Sequence, residues 1–262
     1  MRIESTLQPG QVDVWYCWIK DCPAASLEDD FCALLTDEEA ERMARYRFDY
    51  LRHEYLVTRA LCRLTLSRYA DVDPRDWRFV VNAYGRPEIA APASAMRLRF
   101  NLSNARSLVA CAVSLDEDVG VDVEETDRPG ETLSIADRYF TATELAGLRA
   151  QPPEHQRRRF FELWTLKESY IKARGMGLSI PLERFSFDIG ARVRIDIDPA
   201  LEDAPERWHF ELRPLGERHM MAVCAPRSAA NPGSVRYFPC IPSVGMGEVL
   251  IRRPRLRIGI DQ

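Results

Sequence analysis

The sequence contains no Cys-x-x-Cys, no His-Glu-x-x-His and no apolar run near the length of a membrane span. The first two absences argue against zinc, whose sites need several closely spaced thiolate or imidazole ligands. The third argues against a spanning helix. No basic segment followed by an apolar one opens the chain, so no secretory leader is expected. Neither sign of charge is in large excess: 36 basic and 40 acidic side chains give a net charge of -4, which does not suit a general nucleic-acid binder. Histidine is scarce, and His53, His155, His209 and His219 show no ligand spacing. The expectation is a cytoplasmic protein with neither membrane nor nucleic acid as partner.

The seven cysteines are odd in number, and several sit inside apolar runs such as "RALCRL" and "VACAV". They read as reduced, mostly buried thiols. A length of 262 residues with 46% apolar content accommodates one large domain or two ordinary ones with a sizeable core.

Periodicity alternates between strand and helix. "VDVWYCWI" from Val12 reads as a strand, and a long stretch from Leu35 to Ala70 has helical spacing. Thr36 and Glu39 have the spacing of a capping box, which recurs at Thr141 and Glu144. "WRFVV", "RLRFNLS", "SLVACAVSL" and "VGVDVEE" read as strands, with "NAYGRP" and Asp116–Asp118 as turns. After them come a helix at "FTATELAGL", a longer one ending in "LWTLKESYIKARG", strands at "RFSFDI" and "VRIDID", and a hairpin of "WHFELRPL" with "HMMAVCAP". The order repeats, so the fold class expected is α+β with two similar halves. The halves span residues 1–115 and 116–226, with 227–262 as a C-terminal extension. A cleft between such halves is a common place for a ligand.

Three features could carry chemistry. In "GVDVEE", strand alternation puts Asp122 and Glu124 on one face, roughly 7 Å apart. Such a pair can hold a hard cation such as Mg2+ that prefers oxygen ligands, and it also suits the polar face of a half-exposed strand. In the long helix, Phe160, Trp164, Glu168 and Lys172 follow at i, i+4 and so share one row. That row begins aromatic and ends in an acid and a base, so the two charges face either solvent or a semi-buried cleft where a cation and a phosphate would compensate them. Lys167 lies beside the row and turns away from it. Arginines between 42 and 68, led by the neighbours Arg42 and Arg45, suit phosphate recognition or simply a solvated helix face. Arg86 on its Gly-Pro turn and Ser103 with Asn104 at a strand end are weaker single signals. Glu144 is explained by capping.

Taken in order, "YGRP", "FNLSN", "GVDVEE", "FTATE" and "WTLKESYIKARGMGLSIPLERFSF" closely resemble the Sfp-type 4'-phosphopantetheinyl transferases over roughly Glu38 to Pro226. The resemblance implies a pseudo-twofold monomer that binds coenzyme A between its halves. It implies transfer of phosphopantetheine to a serine of an apo acyl or peptidyl carrier protein, with Mg2+, releasing adenosine 3',5'-bisphosphate. By matched position, Asp122, Glu124 and Glu168 would hold Mg2+. Glu168 would also serve as base, and Lys172 would neutralise the transferred phosphoryl group. Arg42, Arg45, Arg86, Ser103 and Asn104 would contact coenzyme A phosphates. Asn104 departs from the family, which usually has histidine there; an amide donates a hydrogen bond but carries no charge. A non-catalytic coenzyme A or carrier-binding module is the alternative reading, and a phosphohydrolase using water is a third. For an acidic carrier, Arg157, Arg158 and Arg159 are a candidate docking patch.

Overall fold

The computed structural model describes residues 7–95, 97–227 and 233–242. Strand β1 (Gln11–Trp18) comes first and helices α1 (Ala24–Cys32), α2 (Asp37–Ala44) and α3 (Asp49–Leu66) follow. A hairpin of β2 (Arg78–Val81) and β3 (Pro87–Ala91) leads to β4 (Leu98–Ala105), β5 (Leu108–Leu115) and β6 (Gly120–Glu125). Helices α4 (Thr132–Tyr139), α5 (Ala142–Arg149) and α6 (Pro153–Arg174) come next. The chain continues through a hairpin of β7 (Phe185–Ile189) and β8 (Val193–Ile197), then β9 (Trp208–Leu215), β10 (His219–Pro226) and β11 (Ser234–Pro239).

Two main sheets form, ordered β11-β1-β5-β4 and β6-β10-β9. Alternation decides how they stack. On β1 and β5, Val12, Val14, Leu108, Ala110 and Ala112 point to a core shared with Val121, Val123, Met221, Val223 and Ala225 of the other sheet. The opposite faces of β1 and β5 carry Trp15, Cys17, Val109, Cys111 and Val113, which pack with Leu56, Ala60, Leu61 and Leu64 of α3. Ala222 and Cys224 of β10 likewise pack with Leu163, Leu166, Tyr170 and Ile171 of α6. The layers are therefore helix, sheet, sheet, helix. Both faces of β5 are covered, which is why "LVACAVS" is apolar throughout rather than alternating.

The long helical stretch expected from Leu35 is two helices, because the chain leaves the helix at Arg45 and restarts after Phe48. Both capping boxes form as expected at Thr36–Glu39 and Thr141–Glu144. The segment after Arg227 also has a place in the sheet: β11 lies parallel to β1. Arg236 there makes paired bonds of 2.7 and 2.8 Å to Asp13, a carboxylate buried in the middle of β1. The rest of the tail lies outside the described residues.

Each capping glutamate also accepts an ion pair from the following long helix. Glu39 meets Arg63 of α3 at 2.7 Å, and Arg63 also donates to the carbonyls of Pro74 and Trp77. Glu144 meets Lys167 of α6 at 2.9 Å, and Lys167 also donates to the carbonyls of Leu182 (2.8 Å) and Phe185 (2.7 Å). Lys167 thereby uses its three donors with no contact to water. Burial lowers its pKa and Glu144 opposes that shift.

Gly120 sets how closely α6 approaches β6. A Cβ there would stand 1.9 Å from the Ser169 carbonyl and 2.7 Å from the Ala173 amide, both helix backbone. Gly120→Ala is expected to lower stability by about 1–3 kcal/mol, at the upper end because backbone must move. Thermal unfolding of the purified variant measures this, and an unchanged midpoint would contradict the close packing.

Candidate active site

The site forms where the two sheets meet. Strands β4 and β6 share no backbone ladder, and side chains of β4 take its place. Asn101 Oδ1 accepts the Val121 amide at 2.9 Å and Ser103 Oγ accepts the Val123 amide at 3.1 Å. Alternation puts both acceptors on the face of β4 that meets β6, and both are buried. Asn101 was not among the expected site residues. The signal for it is the i, i+2 spacing to Ser103 within "FNLSN".

Ser103, Asp122 and Lys172 converge on this junction. Ser103 Oγ donates to Asp122 Oδ1 at 3.0 Å. Lys172 Nζ donates to Asp122 Oδ1 at 2.7 Å, to Ser103 Oγ at 3.0 Å and to the Val121 carbonyl at 3.2 Å. Three segments distant in sequence thus reach one point, with Lys172 carried there by the α6 row. The other oxygen of Asp122, Oδ2, is buried with no hydrogen-bond partner among the described residues. Burial raises the Asp122 pKa, and Lys172 and Ser103 act against that rise.

Glu124 lies one strand period along. Its Oε1 accepts Trp164 Nε1–H at 3.0 Å and its Oε2 pairs with Arg128 at 3.1 Å. Trp164 is held in turn by stacking on Phe160, with ring centroids 5.8 Å apart. Glu168, one turn before Lys172, makes no hydrogen bond or ion pair among the described residues. Burial, then repulsion from Asp122, pushes Glu124 and Glu168 up from 4.5 to about 7. The row Phe160–Trp164–Glu168–Lys172 therefore faces the Asp122 side of β6.

The remaining expected residues are distributed around this centre. Asn104 donates to the carboxylate of Glu54 on α3. Glu54 is pushed up by burial, which Asn104 and Arg106 counteract. Arg42 stands on α2 with its guanidinium 6.0 Å from the Tyr55 ring, and Arg45 lies 3.8 Å from Glu41 in open solvent. Neither touches Asp122 or Lys172. Arg86 bridges β3 and α6: it donates to the Ala173 carbonyl at 3.0 Å and pairs with Glu88 (2.9 Å) and Asp118 (3.1 Å). It lies so close to Gly175 that a Cβ there would meet its guanidinium at 2.5 Å. Gly175 ends α6 in the left-handed conformation, at φ 66°. Of the three arginines expected to dock a partner, Arg157 is turned inward onto the carbonyls of Thr126, Gly130 and Arg128, and Arg158 and Arg159 share Glu162.

No three carboxylate, imidazole or thiol side chains among the described residues stand ready to enclose a metal. The donors still fit a hard cation: one buried orphan carboxylate oxygen on Asp122, with Glu124 and Glu168 on the same side. Completing such a shell needs outside oxygens, which is how Mg2+ is commonly held with substrate phosphates.

The fold is α+β, and Asp122, Ser103 and Lys172 converge where its two main sheets meet. The model of the 4'-phosphopantetheinyl transferase superfamily matches residues 118–224, which include Asp122, Glu124, Glu168 and Lys172. A 4'-phosphopantetheinyl transferase of Bacillus subtilis is 33% identical over 202 residues, covering 77% of this chain and 87% of its own. The 4'-phosphopantetheinyl transferase Sfp of the same species is 32% identical, covering 78% and 88%, and HetI of Nostoc is 32% identical, covering 66% and 73%. The chain belongs to the 4'-phosphopantetheinyl transferase superfamily. Within it, the similarity extends over most of the length of the Sfp protein. Among the described residues, no helix is long and apolar enough to cross a membrane.

Proposed function

We propose that this chain transfers the 4'-phosphopantetheine group of coenzyme A to a serine of an apo acyl or peptidyl carrier protein, with Mg2+, releasing adenosine 3',5'-bisphosphate. The observation that carries the reading is the Lys172–Asp122–Ser103 cluster, with the Glu168 carboxylate one helical turn before Lys172 left without a partner among the described residues. A carboxylate with no competing partner and a nearby ammonium suit proton removal from a hydroxyl beside a phosphoryl centre.

In the reaction, the serine oxygen bonds to the phosphorus of the phosphopantetheine and the bridging pyrophosphate bond breaks. Glu168 takes the serine proton. Lys172 offers charge to the transferred phosphoryl oxygens, turning from Asp122 as it does so. Asp122, Glu124 and Glu168 would hold Mg2+, which when bound supplies charge neutralisation at the pyrophosphate. Trp164 fixes the Glu124 carboxylate. Arg42, Arg45, Ser103 and Asn104 serve as phosphate contacts, and Arg86 does so while holding the end of α6.

The same reading treats residues 1–115 and 116–226 as pseudo-repeats about a twofold axis, with 227–262 as an extension. It is supported by the recurrence of a capping box whose glutamate pairs with a buried cation of the next long helix: Glu39 with Arg63, and Glu144 with Lys167. Since both walls of the junction come from one chain, a monomer is a complete enzyme.

Mixing the protein with coenzyme A, Mg2+ and a panel of apo-carriers from fatty acid, polyketide and nonribosomal peptide systems tests the function. A mass increase on the carrier serine is expected. Tight coenzyme A binding with no modification of any carrier would favour a binding module instead.

The raised carboxyls also set a pH dependence. A group protonated more readily in the folded than in the unfolded chain stabilises the fold at low pH and loses that contribution as pH rises through its folded value. Glu124 and Glu168 shift from 4.5 to about 7. The metal-free protein is therefore expected to lose stability between about pH 5 and pH 7.5, while Mg2+ restores more of it as pH rises, since metal and proton compete for the same oxygens. Thermal unfolding with and without Mg2+ across this range measures both slopes. A Mg2+ effect independent of pH would argue against these ligands.

A further inference from the structure

Of the three carboxylates around the junction, Glu124 is the one held by a guanidinium. Arg128 Nε stands 3.1 Å from Glu124 Oε2, and Arg128 Nη2 donates to Oε1 at 3.4 Å, so one planar group spans both oxygens. The Glu124 side chain is 16% exposed and that of Arg128 is 45% exposed, which puts the pair at the rim of the site. Arg128 is aimed from outside the pair. Arg157 of α6 donates to the carbonyls of Thr126 at 2.8 Å, of Gly130 at 3.3 Å and of Arg128 itself, which fixes the turn that follows β6. The Arg128 guanidinium also lies 5.3 Å from the ring of Phe161, a buried residue of α6 three positions before Trp164. No step of the transfer uses Arg128.

We propose that Arg128 is a gate on the metal site: its guanidinium leaves Glu124 as that carboxylate takes Mg2+, so Arg128 sets the concentration at which the cation binds. The inference rests on Asp122, Glu124 and Glu168 as the metal ligands. Two arguments carry it. The first is space. A carboxylate offers about four lone-pair sites, and Trp164 with the two Arg128 contacts uses three of them. Mg2+ demands near-ideal geometry at about 2.1 Å, which a carboxylate held on both oxygens does not readily offer. The second is charge. Trp164 is a neutral donor and can stay on Oε1 while Glu124 binds a cation, as a partner that orients the ligand. Arg128 carries a full charge and repels a dication on the same carboxylate. A partly exposed ion pair adds little to folding, so releasing it costs little, as a gate requires. Asp122 Oδ2 has no such guard, nor has Glu168 among the described residues.

The test measures Mn2+ binding to the full chain by the loss of the free-ion electron paramagnetic resonance signal, with Mn2+ as the probe for Mg2+. R128A and R128Q are each expected to bind Mn2+ about threefold to tenfold more tightly than the unaltered protein, the scale of a partly exposed ion pair. E124Q is expected to bind more weakly, and adding R128A to E124Q is expected to change nothing further, because the gate acts through Glu124. R218A removes an equal charge that pairs with Asp127 on the same turn, and it is expected to leave Mn2+ binding as it was. Unchanged or weaker binding by both Arg128 variants overturns the proposal. A gain that persists in the E124Q background, or that R218A reproduces, overturns it as well, since the effect is then one of overall charge. If neither E124Q nor E168Q weakens Mn2+ binding, the metal-site reading fails and the gate falls with it.

Discussion

Replacing Glu144 with alanine is expected to destabilise the protein by about 3–5 kcal/mol, the range for removing one partner of a buried ion pair. The change leaves the Lys167 ammonium buried with two carbonyl partners and no counter-charge. It also removes the acceptor for the Phe187 amide and the reciprocal cap on Thr141. The double change Glu144→Gln with Lys167→Met removes both charges at similar volume and is expected to recover most of the loss, because a buried pair contributes little net stability relative to an apolar replacement. Denaturant unfolding of the two single variants and the double variant measures the coupling. A double variant as unstable as the sum of the singles would show that Lys167 and Glu144 act independently. The effect belongs to folding, because Lys167 reaches neither Asp122 nor the free carboxylate of Glu168.

Glu168→Gln should behave in the opposite way. Transfer to the carrier is expected to fall by about 10²–10⁴-fold, the usual contribution of a positioned general base. Stability at neutral pH should hold or rise, since the amide keeps the shape and removes a charge whose burial and repulsion from Asp122 push its pKa to about 7. Single-turnover transfer rates and thermal unfolding, measured on the same preparation, separate the two effects. Full activity in the glutamine variant would move the base elsewhere. Lost activity with lost stability would make Glu168 a structural residue.

Lys167 and Glu168, neighbours on α6, mark where reading the chain succeeds and where it stops. Positions 164, 168 and 172 share a row because helical periodicity is local, and the row does meet Asp122 and Glu124 on β6. Asp122 and Glu124 share a face for the same kind of reason, strand alternation. The capping boxes at Thr36 and Thr141 are equally local, with every bond inside four residues. The break between α2 and α3 was not legible, because "RYRF" contains no glycine or proline to announce it. Nor were the partners of buried charge. Glu144 has the spacing of a cap and forms one, yet its bond to Lys167 joins residues on different helices. Asn101 and Ser103 look like polar residues at a strand end, and their work of replacing a backbone ladder depends on β6 lying alongside.

Residue order alone thus placed the acids, the lysine and the glycine stop on their elements, since these positions follow from a repeat of about 3.6 or 2 residues. It also carried the family resemblance, which needs only ordered motifs. Three-dimensional packing decided which charges find partners within the fold. Arg157 and Lys167 are occupied by carbonyls and carboxylates from other segments, while among the described residues Glu168 and one oxygen of Asp122 are left without partners. The physical reason is desolvation: a buried charge must find a partner wherever the fold brings one, and that partner has no fixed sequence distance.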